Sequence, residues 1–196
     1  MTVPEIDTLC WSSDAYSRRV ARLSAEEAVT QPDKELARMQ EWPLRSYLEL
    51  RALPACVRSA RLHATNTLRE WRIKLLTDTV ELLVSEIITN AVRASANTWN
   101  RQREPGLPEA GQSEGGQSEA SRLQRAPWIR FWLTSDRRRV LIQVWDGDRH
   151  HPVPQHAGLD AEAGRGLLLI ETLSAGWGCY APDGQDGKIV WAVCVP

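Results

Sequence analysis

Two polar side chains stand four positions apart in an otherwise apolar segment, Glu-Leu-Leu-Val-Ser-Glu-Ile-Ile-Thr-Asn-Ala-Val-Arg at 81–93. In a helix, Glu86 and Asn90 project from the same face, one turn apart. A carboxylate and a carboxamide on an apolar helix are unfavourable unless a polar group meets them there. The pair therefore suggests a site for a magnesium ion and a nucleotide phosphate.

Two further segments could complete such a site. Asp146 and Gly147 follow an alternating apolar segment, and Gly164-Arg165-Gly166 comes directly before a predicted helix. The first turn of a helix attracts phosphate through its free backbone N–H groups, and glycines let the backbone approach a ligand closely. Each segment alone is a weak signal, whereas their order and spacing together are informative.

Elements that position these residues follow from the hydrophobic periodicity. The pattern predicts strands at 44–53, 127–134, 139–145 and 188–195, and helices at 55–72, 75–98 and 167–173. The fold class expected is an α/β two-layer sandwich, with a mixed, mostly antiparallel sheet and the helices on one face. In the helix at 75–98, Glu86, Asn90 and Arg93 lie along the edge of the core-facing stripe.

The chain divides into an extension and one folded domain. Residues 1–42 are predicted to be a polar extension, helical at 13–23 and again from 24, or partly disordered. Residues 43–196 are the folded domain. Within it, the segment 100–126 repeats Gly-Gln-Ser-Glu and has almost no large apolar residues, which predicts a disordered insertion.

Composition argues against several classes of partner. The net charge is −1 and the pI about 6.4, so neither a nucleic acid nor a membrane surface is expected. The four cysteines are scattered, and we interpret them as reduced buried thiols, with two disulfides as the alternative. No signal peptide or spanning segment is visible, so we expect a cytoplasmic protein.

The order of the polar segments resembles the GHKL ATPases, which share the Bergerat nucleotide-binding fold, and in particular the bacterial anti-sigma-factor serine kinases and their actinobacterial relatives. The resemblance covers 44–196. The matching segments are Glu86 and Asn90 (the N-box), Asp146-Gly147 (the first glycine box), Gly164-Arg165-Gly166-Leu167 (the second) and the closing strand from Gly187. No GxxxxGK[ST] segment is present, so the chain is not a P-loop protein.

This resemblance implies a role for each residue. Asn90 would coordinate Mg²⁺ that bridges the phosphates of ATP, and Glu86 would act as general base. Asp146 would accept a hydrogen bond from the adenine amine, and residues 147–163 would form a lid. The residues expected to contact the nucleotide are Asn90, Arg93, Asp146, Gly147, Gly164, Arg165, Gly166 and Leu167.

One residue departs from the family pattern. Asp148 stands where the fuller first glycine box has a second glycine. A carboxylate at this position either weakens nucleotide affinity or points to solvent. The departure bears on the catalytic rate more than on the fold.

The resemblance implies an ATP-binding regulatory protein that binds a sigma factor and phosphorylates a serine of an antagonist protein. A non-catalytic module, in which ATP gates a protein contact, is the alternative, and a homodimer is left open. A histidine-kinase catalytic domain is disfavoured, because no upstream phosphoacceptor helix is visible and His63 lies inside the domain. For Glu86 the plainer interpretation is a surface ion pair with Arg93 or Lys74. A metal site at His150, His151 and His156 is disfavoured against a solvent-exposed lid, because no cysteine or well-spaced carboxylate cluster supports it.

Overall fold

The computed structural model describes residues 9–10, 36, 38–102, 125–152, 165–182 and 184–196. Several expectations lie outside the described residues. They are the helices at 13–23 and from 24, most of the insertion at 100–126, most of the lid at 147–163, and Gly164.

Within the described residues, six strands form a single sheet, and three helices have both ends defined. The elements are β1 (Leu9–Cys10), β2 (Leu44–Arg51), α1 (Ala55–Glu70), α2 (Thr77–Gln102), β3 (Trp128–Ser135), β4 (Val140–Asp146), α3 (Arg165–Leu173), β5 (Gly176–Tyr180) and β6 (Lys188–Cys194). The strand order is β1-β5-β6-β4-β3-β2. Every described pair is antiparallel, whereas the sequence suggested a mixed, mostly antiparallel sheet. Short turns can connect antiparallel neighbours such as β3 and β4.

The main core lies between the helices and one face of the sheet. Ala60, Ala64 and Leu68 form the buried stripe of α1, at the helical spacing of four. The fully buried Phe131 and Ile142 on β3 and β4 belong to the same cluster. The prediction of an α/β two-layer sandwich with helices on one face is confirmed.

The ends of two helices differ from the predicted ones for local reasons. α1 ends at Glu70 because Arg72 adopts a left-handed conformation, with φ 62°. The Ile73 amide then donates back to the Leu68 carbonyl oxygen at 2.9 Å, which closes the helix end. α2 continues to Gln102, into the segment predicted as an insertion.

The opposite face of the sheet carries a second, smaller core. Leu36, Met39 and Trp42 pack there against sheet residues that include Tyr180 and Trp191. The Thr134 hydroxyl donates to the Met39 carbonyl oxygen at 3.0 Å. The end of the predicted N-terminal extension is therefore part of the folded domain.

Two sequence-level expectations concern cysteines and membrane spans. In the described part of the chain, Cys56, Cys179 and Cys194 are buried and form no disulfide. Burial raises the pKa of Cys194 to about 12 and so keeps its thiol protonated. Within the described ranges, no helix combines the length and apolar character that crossing a bilayer requires.

His63 is a structural residue of α1. Its Nε2 lies 2.7 Å from the Ser46 hydroxyl oxygen on β2, and its ring meets Phe131 edge-on at a centroid distance of 5.9 Å. Burial lowers the pKa of His63 below 6.5, and the charge of Glu70 opposes this shift. The folded protein therefore favours neutral His63, and contacts with Ser46 and Phe131 hold its ring between α1 and the sheet.

This pKa shift makes stability depend on pH. Below pH 6.5 the unfolded chain protonates His63 while the folded chain resists, so the free energy of unfolding falls as the pH decreases through this range. We expect the decrease between about pH 7.5 and about pH 5.5 to be smaller in His63→Gln, which has no imidazole to titrate. Urea denaturation of both proteins at the two pH values measures this. Equal pH dependence in the two proteins would contradict the prediction.

Candidate functional site

α2 carries the first two residues of the site. Its buried positions include Val80, Leu83 and Ile87, which fix the rotation of the helix against the sheet. With that face buried, Glu86 and Asn90 emerge half-buried at its border. The polar pair therefore stands where a ligand could reach it.

The start of α3 meets this pair directly. A Cβ atom added to Gly166 would lie 2.6 Å from Oε2 of Glu86 and 3.7 Å from Nδ2 of Asn90. Any side chain at position 166 would therefore displace the Glu86 carboxylate. The structure thus brings together the N-box pair and the second glycine box, which are about eighty positions apart in sequence.

Three other residues of α2 and α3 were predicted to contact the nucleotide, and the structure places them differently. Arg165 is the first residue of α3, and its side chain lies outside the described residues. The Leu167 side chain is buried in the main core, so only its backbone could meet a phosphate. Arg93 on α2 is exposed to solvent.

Asp146 ends β4 and is 1% exposed. Its Oδ1 accepts hydrogen bonds from Nζ of Lys188 at 2.7 Å and from the Asp148 amide at 2.9 Å. Burial raises the pKa of Asp146, and the Lys188 ammonium opposes that shift. Gly147 follows, and an added Cβ there would make only an ordinary 4.0 Å contact with Trp145. Packing within the described chain thus does not require glycine at 147.

Asp148 turns inward and does not point to solvent, so that alternative is wrong. The residue is 7% exposed, and its Oδ1 lies 2.6 Å from Nδ1 of His150. A hydrogen bond from the Thr98 hydroxyl ties it to α2. Although burial works to raise the pKa of Asp148, the hydrogen bonds from His150 and Thr98 and the charge of Lys188 lower it. Hydrogen bonding within the protein occupies this carboxylate.

Lys188 is the site residue that sequence reasoning missed. It opens β6, is 3% exposed, and also donates to the Asp148 carbonyl oxygen at 3.1 Å. The adjacent Gly187 has φ 102°, and a Cβ there would collide with the Asp146 carbonyl oxygen. The available signal was a lone lysine at the head of an apolar strand, where burial demands a carboxylate partner.

α2 connects the two halves of the site. Asn90 faces Gly166 near the middle of the helix, and Thr98 holds Asp148 two turns later. Eight residues of helix span about 12 Å. That separation suits a nucleoside triphosphate with its base near Asp146 and its phosphates near Asn90.

Comparison with known proteins identifies the family. The family model described as histidine kinase-like ATPase domain matches residues 50–193. No curated protein sequence matches the chain. The matched range contains α1, α2, α3, β3, β4, β5 and β6 up to residue 193, and it includes Glu86, Asn90, Asp146 and Gly166. The chain therefore belongs to the GHKL-type family of histidine kinase-like ATPase domains, and its folded domain is an ATP-binding domain.

Proposed function

We propose that this protein is an ATP-dependent serine/threonine protein kinase of the anti-sigma-factor type. It transfers the γ-phosphate of ATP to a serine of an antagonist protein and so controls the binding of a sigma factor. The observation that carries the proposal is the contact of the Glu86 carboxylate with Gly166, beside Asn90 and at the start of α3. The Glu86 carboxylate, which can accept a proton, therefore lies where the phosphates of ATP are expected.

The residues present fit ATP and Mg²⁺. Gly166 carries no side chain of its own, so the Glu86 and Asn90 side chains reach the start of α3, whose first turn offers backbone N–H groups to the phosphates. The amide oxygen of Asn90 is a suitable ligand for Mg²⁺, which when bound neutralises phosphate charge. Asp146 would accept the hydrogen bond of the adenine amine.

The proposed reaction uses few protein groups. Glu86 accepts the proton of the serine hydroxyl as its oxygen bonds to the γ-phosphorus. The bond from the γ-phosphorus to the β–γ bridging oxygen breaks, and ADP leaves with the electron pair. Phosphoryl transfer depends mainly on positioning and charge stabilisation, which α2 and α3 supply by holding Glu86 and Asn90 together.

The alternative is a module that binds ATP without transferring phosphate. Such a module would still need Asn90 and Asp146, but it would have no use for Glu86. A carboxylate beside a phosphate site repels the ligand, so its presence without a catalytic role would weaken binding. Glu86 therefore favours the kinase.

The choice of partner rests on the resemblance to anti-sigma-factor kinases alone. Under this proposal, a sigma factor and an antagonist protein are both ligands, and neither nucleic acid nor membrane is required. The same proposal places the protein in the cytoplasm, where these partners occur.

Replacement of Glu86 and of Asn90 should separate catalysis from binding. We expect Glu86→Gln to reduce phosphate transfer about 100-fold or more, because the general base is lost, while Mg-ATP affinity changes little. Asn90→Ala should instead weaken Mg-ATP binding. Radiolabel transfer from ATP to arrayed serine peptides and calorimetric titration measure the two quantities. Absence of transfer by the wild type would rule out the kinase, and transfer that survives in Glu86→Gln would rule out Glu86 as its general base. Unchanged affinity in Asn90→Ala would overturn the site assignment.

Gly166→Ala provides a second test of the geometry. The added methyl group would push the Glu86 carboxylate aside, and a displacement of this size lowers a rate by about 100-fold. Alanine is also a better helix former than glycine, by about 1 kcal/mol, so the melting temperature should not fall. Leu168→Ala, on the same helix but 62% exposed, is the control and should keep the wild-type rate. A wild-type rate in Gly166→Ala would show that Glu86 need not occupy its observed position.

A further inference from the structure

Lys188 is the most deeply buried basic residue in the described part of the chain, and the proposed mechanism gives it no role. The side chains of Lys188 and Asp146 are 4% and 2% exposed, and Nζ lies 2.7 Å from Oδ1. A pair of this kind is costly to bury, and removal of one partner leaves an uncompensated charge. The two residues face each other in the register of the sheet.

Hydrogen bonds to Asp146 are unevenly divided between its two oxygens. Within the described residues, the Lys188 ammonium and the Asp148 amide both donate to Oδ1. A base that hydrogen-bonds to Asp146 would therefore have to meet Oδ2. The protein holds the carboxylate at Oδ1, which fixes the direction of Oδ2.

We propose that Lys188 is the specificity-determining residue of the base pocket, acting through Asp146. By holding Asp146 as an ionised acceptor, it makes the pocket select purines with a 6-amino group over purines with a 6-oxo group. This inference rests on the assignment of Asp146 to the base in the proposed function. Lys188 is thus a positioning residue and makes no contact with the base itself.

The charge of Asp146 decides which base it can bind. An ionised carboxylate only accepts hydrogen bonds, so it suits the 6-amino group of adenine and repels the 6-oxo group of hypoxanthine. Without Lys188, burial would favour the protonated acid, whose hydroxyl could donate to a 6-oxo group. Selectivity would then return as rising pH ionises the acid.

Other titratable groups near this pair must be considered. Asp148 lies 3.9 Å from Nζ of Lys188 through its Oδ2, and His150 pairs with Asp148. Both face the pair from the loop after β4, and Thr98 reaches Asp148 from α2 without a charge. A variant of Asp146 itself is needed to assign the pH dependence to Asp146.

The test compares the affinities of ATP and ITP, which differ only in the six-membered ring of the base. Calorimetric titrations of the full chain with each nucleotide and Mg²⁺ are made between about pH 6 and about pH 9. We expect the wild type to prefer ATP at every pH. Lys188→Met should lower the ATP-to-ITP affinity ratio by roughly 10- to 100-fold at low pH, with recovery as the pH rises. Asp146→Asn should lower the ratio at every pH.

Two further variants complete the design. Arg61→Met removes an exposed cation that pairs with Glu81, and it should leave the ratio unchanged. Lys188→Gln keeps a donor for Oδ1 without the charge, and it should behave as Lys188→Met does. It serves as the test if Lys188→Met fails to fold, as judged by circular dichroism.

Three outcomes would overturn the proposal. A wild-type ratio in the Lys188 variants at all pH values would show that the lysine is only structural. A loss of selectivity in the Lys188 variants that does not depend on pH would also show that the lysine is only structural. A wild-type ratio in Asp146→Asn would instead remove Asp146 from the base pocket, and with it the base assignment in the proposed function, whatever Lys188 does.

Discussion

The packing of α2 against the antiparallel sheet is the constraint on which the rest of the structure depends. Val80, Leu83 and Ile87 must face the sheet, and this requirement leaves one rotation of the helix. At that rotation Glu86 and Asn90 reach the border of the core and are only half-buried. A helix turned by one residue would place these polar groups either in the core, where they are costly, or in solvent, where they could not act together.

The second constraint is the buried charge at the junction of β4 and β6. Asp146 requires a partner because burial alone would protonate it, and Lys188 supplies that partner from the neighbouring strand. Gly187 allows the two strands to approach at this point, since a Cβ would strike the Asp146 carbonyl oxygen. The features that permit burial thus also fix Oδ1 of Asp146 in hydrogen bonds within the protein.

Both faces of the sheet contribute to this arrangement. The helices cover one face, while Leu36, Met39 and Trp42 cover part of the other. Gln40 donates to the Tyr180 hydroxyl at 3.0 Å, and Gln143 donates to the same oxygen at 3.3 Å. The residues before β2 therefore support the central strands whose ends carry Asp146 and Lys188. The end of the extension belongs to the domain for this physical reason, although the family match begins only at residue 50.

The sequence by itself determined the features that depend on local periodicity. The 3.6-residue repeat placed Glu86 and Asn90 on one face of a helix, and the alternation of apolar residues located β3 and β4. The order of the polar segments was sufficient to indicate the family, and the α/β sandwich followed from the same patterns. Only the tertiary structure decided the pairing of Asp146 with Lys188, the inward turn of Asp148 and the contact of Gly166 with Glu86. These contacts join residues far apart in the chain, and the sheet register and helix packing that create them have no local signal in the sequence.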